Sequence, residues 1–392
     1  MSNMLLELPS PIPPQGEIEG RLQRLRSRMS QSELELVVLT GQNNIEYFSN
    51  HRSLSWTSNS RPMFFLVGLE EAILVASTAE ERNYQSQKRP FRAAFYHGFL
   101  PDAVPIVLAE ARKLSRSAPS VGIDYGVDMF GRGTLALLRA IERGLNRSLC
   151  EASELIWSVR MIKSRFEADM KKASFRIANG AFDAALSEAR IGMTEAELFR
   201  SIQSRIVLYG AERCDPFPVV FSSGEFVYNR WPSDRKLAAG DYIWTDFRST
   251  FAGYPADRNR IAKAGDAEPW EGTCYERVRR LTLELVNGIR PGMTGGSIHA
   301  LFKDLWAAAD LGPVYSRAAR IGHGGGMDLT EPPSIMAESE EVIQEGMILH
   351  VEPKLEINGA IFQFEEVVYV TKEHNEFLAE LCPERLPIVR RA

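Results

Sequence analysis

The chain has 392 residues, of which 44% are hydrophobic and 25% charged, with a formal net charge of −5. This length and balance suit two globular domains with real cores. The negative charge argues against a nucleic-acid partner, and no apolar run approaches the ~20 residues that span a bilayer.

In chain order, residues 1–15 read as a proline-rich arm, followed by a helix from Glu17 to about Met29 with Leu22, Leu25 and Met29 on one face. Leu36-Val37-Val38-Leu39 reads as a buried strand leading into a turn at Gly41-Gln42-Asn43-Asn44. Residues 63–68 and 72–76 flank Leu69-Glu70-Glu71 as a hairpin. Helix (104–114), strand (121–125) and helix (133–145) then alternate, giving an α/β N-terminal domain expected to span residues 1–152. The stretch Leu155–Ala189 is helical and is expected to open a second domain, 153–392. Thr194 and Glu197 form a capping-box pattern ahead of another helix. Strands at PVVFSS, DYIWTDF and GYPADRNRIA, helical blocks at 270–289 and 297–310, and strands at MILHVEP and AIFQFEEVVYVT complete the chain. Two similar rounds of helix and strand suggest a duplicated α+β architecture, with no repeat evident residue by residue.

The N-terminal MSNMLLELPSPIPPQGE has acidic and proline residues where a signal peptide has a basic start and an apolar core. Cys150, Cys214, Cys274 and Cys382 form no CxxC pair and read as free thiols. Both features point to a cytoplasmic protein without a membrane partner.

Five metal-type side chains follow in order through the C-terminal half: Asp246 and Asp257 in TDFRSTFAGYPAD, His323 in IGHGGGMDLTEPP, Glu352 in GMILHVEP and Glu365 in FQFEE. Four carboxylates and an imidazole suit a pair of hard or borderline divalent cations, and without cations such a set would repel itself. A strand, a glycine-containing turn and a return strand can set Asp246 beside Asp257. The glycines after His323 allow close backbone approach. Period-2 alternation puts His350 on the face of Glu352, and puts Glu365 and Glu366 on opposite faces, so only one of the latter can enter a given site.

These motifs resemble the pita-bread metallohydrolases: creatinase, prolidase, aminopeptidase P and methionine aminopeptidase. The resemblance covers about residues 155–375, with RMIKSRFE (160–167) similar to the helix that opens the family's catalytic domain. It implies a creatinase-like N-terminal α/β domain followed by a C-terminal pita-bread catalytic domain. It assigns Asp246, Asp257, His323, Glu352 and Glu365 as ligands of two divalent metals (manganese, iron, cobalt or zinc), with Glu365 preferred over Glu366. By the same analogy, Glu352 takes the proton of the attacking water.

The chain also departs from the family. Prolidases and aminopeptidases P carry two further histidines, one before the first aspartate and one seven residues past the ligand histidine. The corresponding places hold Asn229-Arg230-Trp231-Pro232 and Thr330. Such groups hold a carbonyl and its tetrahedral intermediate, each donor contributing roughly 3–4 kcal/mol. Arg230 and Thr330 are the candidate replacements. His350 stands where the family usually has a small hydroxyl residue, and is a candidate for proton transfer or for orienting a ligand. Arg248, in Asp246-Phe247-Arg248, could pair with Glu366 or bind a substrate carboxylate. In NHRSLSWTSNSRP, Trp56 and Arg61 are similar in position to a creatinase loop that reaches a partner subunit's site, which implies substrate binding in a homodimer. The expected activity is hydrolysis of an amide-type C–N bond in a small anionic substrate. The alternatives are an Xaa-Pro dipeptidase or aminopeptidase acting on dipeptides, a lyase like the dimethylsulfoniopropionate-cleaving relatives, and a non-catalytic binding protein on the same fold.

Overall fold

A computed structural model describes residues 6–115, 120–224, 226–228, 230–315 and 317–390. The first five residues of the proline-rich arm and Asn229 lie outside this description. The described residues form two units, one of Ile12–Arg160 and one joining the chain up to Pro11 with the chain from Met161 onward. The expected boundary after residue 152 falls just before the helix Ser153–Arg160, which groups with the N-terminal unit.

In the N-terminal unit, helix α1 (Glu17–Gln31) buries Leu22, Leu25 and Met29, the stripe its spacing predicts. Six strands form one sheet in the order β4-β3-β2-β1-β5-β6: β1 (Leu36–Leu39), β2 (Phe64–Gly68), β3 (Ala72–Ser77), β4 (Arg92–Tyr96), β5 (Ser120–Ile123) and β6 (Ser148–Glu151). The β2–β3 pair is the expected antiparallel hairpin. The strands β1, β2 and β3 are buried along their whole length, as continuous apolar runs require. Gly41–Asn44 does not form the expected turn, because helix α2 (Gln42–Ser49) starts there. The reason is a distant cap: the buried Asp124 carboxylate accepts from the Thr40 and Gly41 amides at 2.9 and 2.7 Å and from Asn44 Nδ2 at 3.1 Å.

The second unit begins with α3 (Arg165–Ser187) and α4 (Glu195–Leu208). A four-stranded sheet contains β7 (Val219–Ser222), β8 (Tyr242–Phe251) and β9 (Tyr254–Ala264), with a short strand, Ile388–Val389, beside β9. Helices α5 (Pro269–Gly288) and α6 (Gly295–Ala308) follow. A five-stranded sheet then includes β10 (Gly322–Gly324), β11 (Glu331–Ser334), β12 (Ile348–Val351) and, after the separate pair Lys354–Ile357 and Ala360–Gln363, β13 (Glu366–Tyr369). Tyr275, Val278 and Leu285 of α5 and Ile298 and Phe302 of α6 share one core with Leu349, Val351 and Phe364. The α3 helix meets β8 through Ser174, whose hydroxyl donates to the Ser249 carbonyl at 2.8 Å. No helix among the described residues is long and apolar enough to cross a membrane, and all four cysteines are free.

The duplication is visible residue by residue after all. Gly192-Met193-Thr194 and Gly292-Met293-Thr294 each place a glycine at φ 91°, a left-handed angle that disfavours any side chain, and each threonine caps a helix. Each glycine amide then bonds a later loop residue just past an isolated β-bridge, Leu237 in the first round and Ile343 in the second, at 2.8 Å in both. Gly240 and Gly346 open the next strands at φ 92° and 89°, with amides bonded to Ala264 and Val370. Asp246 and Glu352 both stand six residues beyond those glycines. Each round therefore delivers two carboxylates: Asp246 and Asp257 from within β8 and β9, then Glu352 from just past β12 and Glu365 from just before β13.

Candidate metal centre

In the β8–β9 ladder Asp246 lies opposite Asn259 and Arg248 opposite Asp257, so all four side chains share one face. Asp246, Asp257 and Glu365 are buried, and their carboxylate oxygens lie within 4.8 Å of one another. Glu365 reaches this group from just before β13. Its Oε2 accepts from the Asn259 amide and from Asn259 Nδ2, both at 3.1 Å. Glu366 turns the other way, to Arg258 at 3.1 Å, Arg260 at 3.3 Å and the Cys382 amide at 3.0 Å. That leaves no place for the expected Arg248–Glu366 pair. Arg248 instead lies 3.5 Å from Asp257 Oδ1 and 3.9 Å from Asp246 Oδ2.

His323 and His350 are direct partners across β10 and β12, their rings stacked with centroids 4.8 Å apart and planes 15° apart. His323 Nδ1 contacts the Gly324 carbonyl at 2.8 Å, so it carries the proton and leaves Nε2 as a lone-pair donor. That Nε2 is 3.8 Å from Glu352 Oε1. His350 Nδ1 is 2.6 Å from Glu365 Oε1. The ligand-type atoms of His323, His350 and Glu365 also lie within 4.8 Å of one another, a group that includes His350 and leaves out Glu352. Nδ1 of His350 is engaged on Glu365, while its buried Nε2 has no hydrogen-bond partner among the described residues and lies close to Gly325, where a Cβ would come within 2.5 Å of it. Glu352 accepts from Gln363 Nε2 at 2.6 Å and lies 3.3 Å from Lys354 Nζ.

The glycines after His323 make room for protein rather than for open space. A Cβ at Gly324 would collide with the Pro332 carbonyl, and one at Gly326 with the Glu331 carboxylate. Glu331 is itself buried against Lys163 at 2.8 Å.

Electrostatics mark the cluster as incomplete without cations. Burial, reinforced by Asp257, pushes Asp246 up to about 8, while burial also raises Asp257 and holds Glu365 well above the usual carboxylate range. Burial lowers His323 to about 4 and His350 well below its ordinary value, so both imidazoles are neutral and suited to ligation or hydrogen bonding. Asp246 Oδ1 and Asp257 Oδ1 are buried with no hydrogen-bond partner among the described residues. Anionic, hard-oxygen, unpartnered donors beside a neutral imidazole are what divalent cations require, so the residues fit a metal centre.

The remaining expected site residues are placed as follows. Arg230 is gripped by the fully buried Glu195 through both nitrogens, at 2.6 Å for Nη1, and Glu195 is further held by Ser233 and Phe221. The Thr330 hydroxyl is 3.4 Å from Arg320 Nη2. In the N-terminal unit Trp56, Arg61 and Arg132 line one cavity, with the Arg132 guanidinium 5.4 Å from the Trp56 ring centre. Sequence reasoning missed Tyr228 and Lys171. Tyr228 is raised by burial, with Asp246, Glu352, Asp257 and Glu365 adding to the rise, and its ring packs 5.0 Å from that of Trp244. The buried Lys171 donates to the Pro255 carbonyl at 2.6 Å, two residues from Asp257, and burial lowers it to about 8. It also missed Gln363 and Asn259, although each stands two residues from a ligand, Asn259 on the same strand face as Asp257.

A buried carboxylate–histidine cluster of this kind, on a duplicated α+β unit that follows an α/β unit in the chain, defines a metal-dependent hydrolase of the two-metal class. Comparison with known proteins gives the family. Metallopeptidase family M24 matches residues 168–372, more than half of the chain, and the Creatinase/Prolidase N-terminal domain matches residues 21–162. The chain belongs to metallopeptidase family M24, whose members depend on a dinuclear metal centre. It is 23% identical to the Xaa-Pro dipeptidase of Pyrococcus furiosus over 91% of this chain and 96% of that protein. It is 30% identical to the probable dipeptidase PepE of Mycobacterium tuberculosis H37Rv over 61% of this chain and 63% of that one. The solved structure of an Xaa-Pro dipeptidase from Bacillus anthracis shares the fold with a TM-score of 0.82, at 23% identity over 95% of this chain and all of that one.

Proposed function

We propose that the chain hydrolyses an amide-type C–N bond in a small anionic substrate, using two divalent cations held by Asp246, Asp257, His323, Glu352 and Glu365. The observation that carries this reading is the buried group of Asp246, Asp257 and Glu365, with the Oδ1 atoms of both aspartates lacking a hydrogen-bond partner among the described residues. Cations bound there supply Lewis acidity and acidify water near neutral pH. Manganese, iron, cobalt and zinc all suit the donor set. Glu352 takes the proton from the attacking water and returns it to the leaving nitrogen as the C–N bond breaks. Gln363 on Oε2 fixes its rotamer and leaves Oε1 toward His323. His350 holds Glu365 in orientation through Nδ1. Arg248 gives the site the positive charge that an anionic substrate needs, Arg230 being held by Glu195, and Thr330 offers a hydroxyl donor. Trp56 and Arg61 contribute substrate contacts within a cytoplasmic homodimer.

A second reading, Xaa-Pro dipeptidase, is favoured by the relatives that carry that name. The absence of histidine at the Arg230 and Thr330 positions weighs against it, since neither residue shuttles a proton near neutral pH. A turnover screen of manganese, iron and zinc forms against small N-acyl amino acids, ureas, dipeptides and sulfonium compounds tests the proposal. Hydrolysis of an N-acyl amino acid or urea with little release of proline from Gly-Pro supports it. Cleavage confined to Xaa-Pro dipeptides, or to sulfonium compounds, overturns it.

A further inference from the structure

Among the described residues, Arg248 is a guanidinium that contacts two of the metal-type carboxylates and also lines an open cavity. It sits in the ladder opposite Asp257 and two residues from Asp246, with Nε 3.5 Å from Asp257 Oδ1 and Nη2 3.9 Å from Asp246 Oδ2. These distances are ion-pair contacts, not hydrogen bonds, and the buried Nε has no hydrogen-bond partner among the described residues. Arg248 also lines a cavity of about 220 Å³ with Pro216, Phe217, Pro218, Arg230 and Trp231. Arg230, the second cation there, is committed to the buried Glu195. Trp231 is 71% exposed, a large apolar surface left at the rim of that cavity.

We infer that Arg248 is a metal-released carboxylate receptor: cations bound by Asp246 and Asp257 displace its charge from those aspartates, and it then binds the acid group of a substrate whose apolar body rests against Phe217 and Trp231. The inference rests on the hydrolase reading and narrows its substrate to acids bearing an apolar or aromatic group beside the carboxylate. The physical basis is charge balance. In the metal-free cluster the guanidinium is the nearest cation to two buried aspartates. Once divalent cations neutralise those aspartates, Arg248 is left as a half-buried positive charge facing other positive charges, and an anion from the cavity side relieves that repulsion. Because the same side chain contacts the metal-holding aspartates, the acid group and the scissile amide can be only a few bonds apart. Arg248 is thus a specificity-determining residue and, in the absence of metal, a substitute counter-ion.

Two binding measurements that need no turnover test this. The first is calorimetric titration of Mn²⁺ into EDTA-stripped wild type, Arg248→Met and Arg248→Lys. Removing a cation from beside the site raises Mn²⁺ affinity a fewfold in Arg248→Met, with Arg248→Lys close to wild type. If Arg248 only braces Asp246 and Asp257, Arg248→Met binds Mn²⁺ more weakly, and the inference fails. The second is titration of 3-phenylpropanoate, 3-phenylpropanamide and propanoate into each form. Mn²⁺-loaded wild type binds 3-phenylpropanoate at least about tenfold more tightly than the other two, as the value of a charge-assisted bond and of apolar contact implies. That preference is lost in Arg248→Met and in stripped wild type. Equal binding of acid and amide, or acid binding unaffected by metal, overturns the inference. None of the three probes contains a bond that the proposed reaction cleaves except the amide, which is read only for affinity, so failure here is separable from failure to find a hydrolysed substrate.

Discussion

Stripping the metals exposes an electrostatic cost that changes with pH in a defined window. Asp246 rises from an ordinary 3.8 to about 8 in the folded chain, so between those values the folded state holds a proton that the unfolded state has released. Stability of the metal-free protein therefore falls as pH rises through this range. Two other sets of groups act in the opposite sense. His323 and His350 are lowered from 6.5, so their contribution is complete above 6.5 and is lost as pH falls below it. Lys171 is lowered from 10.5 to about 8 by burial, so the cost of burying its charge is full below 8 and is relieved only as pH rises above 8. From pH 6.5 to 8 the carboxylates act alone, and a shift followed over 1.5 units is about 2 kcal/mol for Asp246, with Asp257 and Glu365 adding in the same direction. Urea unfolding of EDTA-stripped protein at pH 6.5 and 8, with and without Mn²⁺, reads this directly. Stripped protein should lose at least about 2 kcal/mol across the window, Mn²⁺ should abolish most of the loss, and Asp246→Asn should flatten the slope because an amide cannot ionise. Stability of the stripped protein that is constant or rising from 6.5 to 8, or an unchanged slope in Asp246→Asn, refutes the reasoning.

Three further perturbations separate orientation from chemistry. His350→Ala removes the 2.6 Å contact to Glu365 and should weaken metal binding by about 10–100-fold in a chelator competition; unchanged affinity removes His350 from the centre. Arg230→Met leaves the buried Glu195 without its counter-ion and should lower the urea-derived stability by about 1–3 kcal/mol, with metal content unchanged. Full stability combined with lost turnover would instead place Arg230 in the chemistry. In Gly325→Ala the new methyl would come within 2.5 Å of His350 Nε2 and 3.2 Å of Lys171 Nζ, so the His350–Glu365 contact must shift. Metal analysis should show occupancy falling below wild type, and full occupancy would mean the loop simply yields.

The metal-type residues were legible because strand geometry ties residue spacing to direction. Asp246 and Asp257 meet through an antiparallel hairpin, and the alternation at Glu365-Glu366 sends one carboxylate to the cluster and the other to Arg258 and Arg260. The same alternation put His350 on the face of the site. What local spacing does not encode is the partner that arrives from far along the chain. The α2 helix begins at Gln42 because Asp124 caps it from more than eighty residues away, and Gly-Gln-Asn-Asn taken alone reads as a turn. Arg230 resembles a free cation until Glu195, at the start of a helix, is seen to claim it. Tyr228 lies in an irregular segment that offers no period to follow. The Gly-Met-Thr repeat is only three residues long, and its meaning comes from matching backbone angles and backbone hydrogen bonds.

The central claim is that the carboxylate–histidine cluster binds a pair of metal ions. Elemental analysis of the full chain reconstituted with Mn²⁺ and desalted, set against Asp257→Asn treated identically, tests it most directly. The account predicts about two transition-metal ions per wild-type chain and a clear loss in the variant. Fewer than about one ion per wild-type chain, or equal metal content in the two proteins, would contradict it.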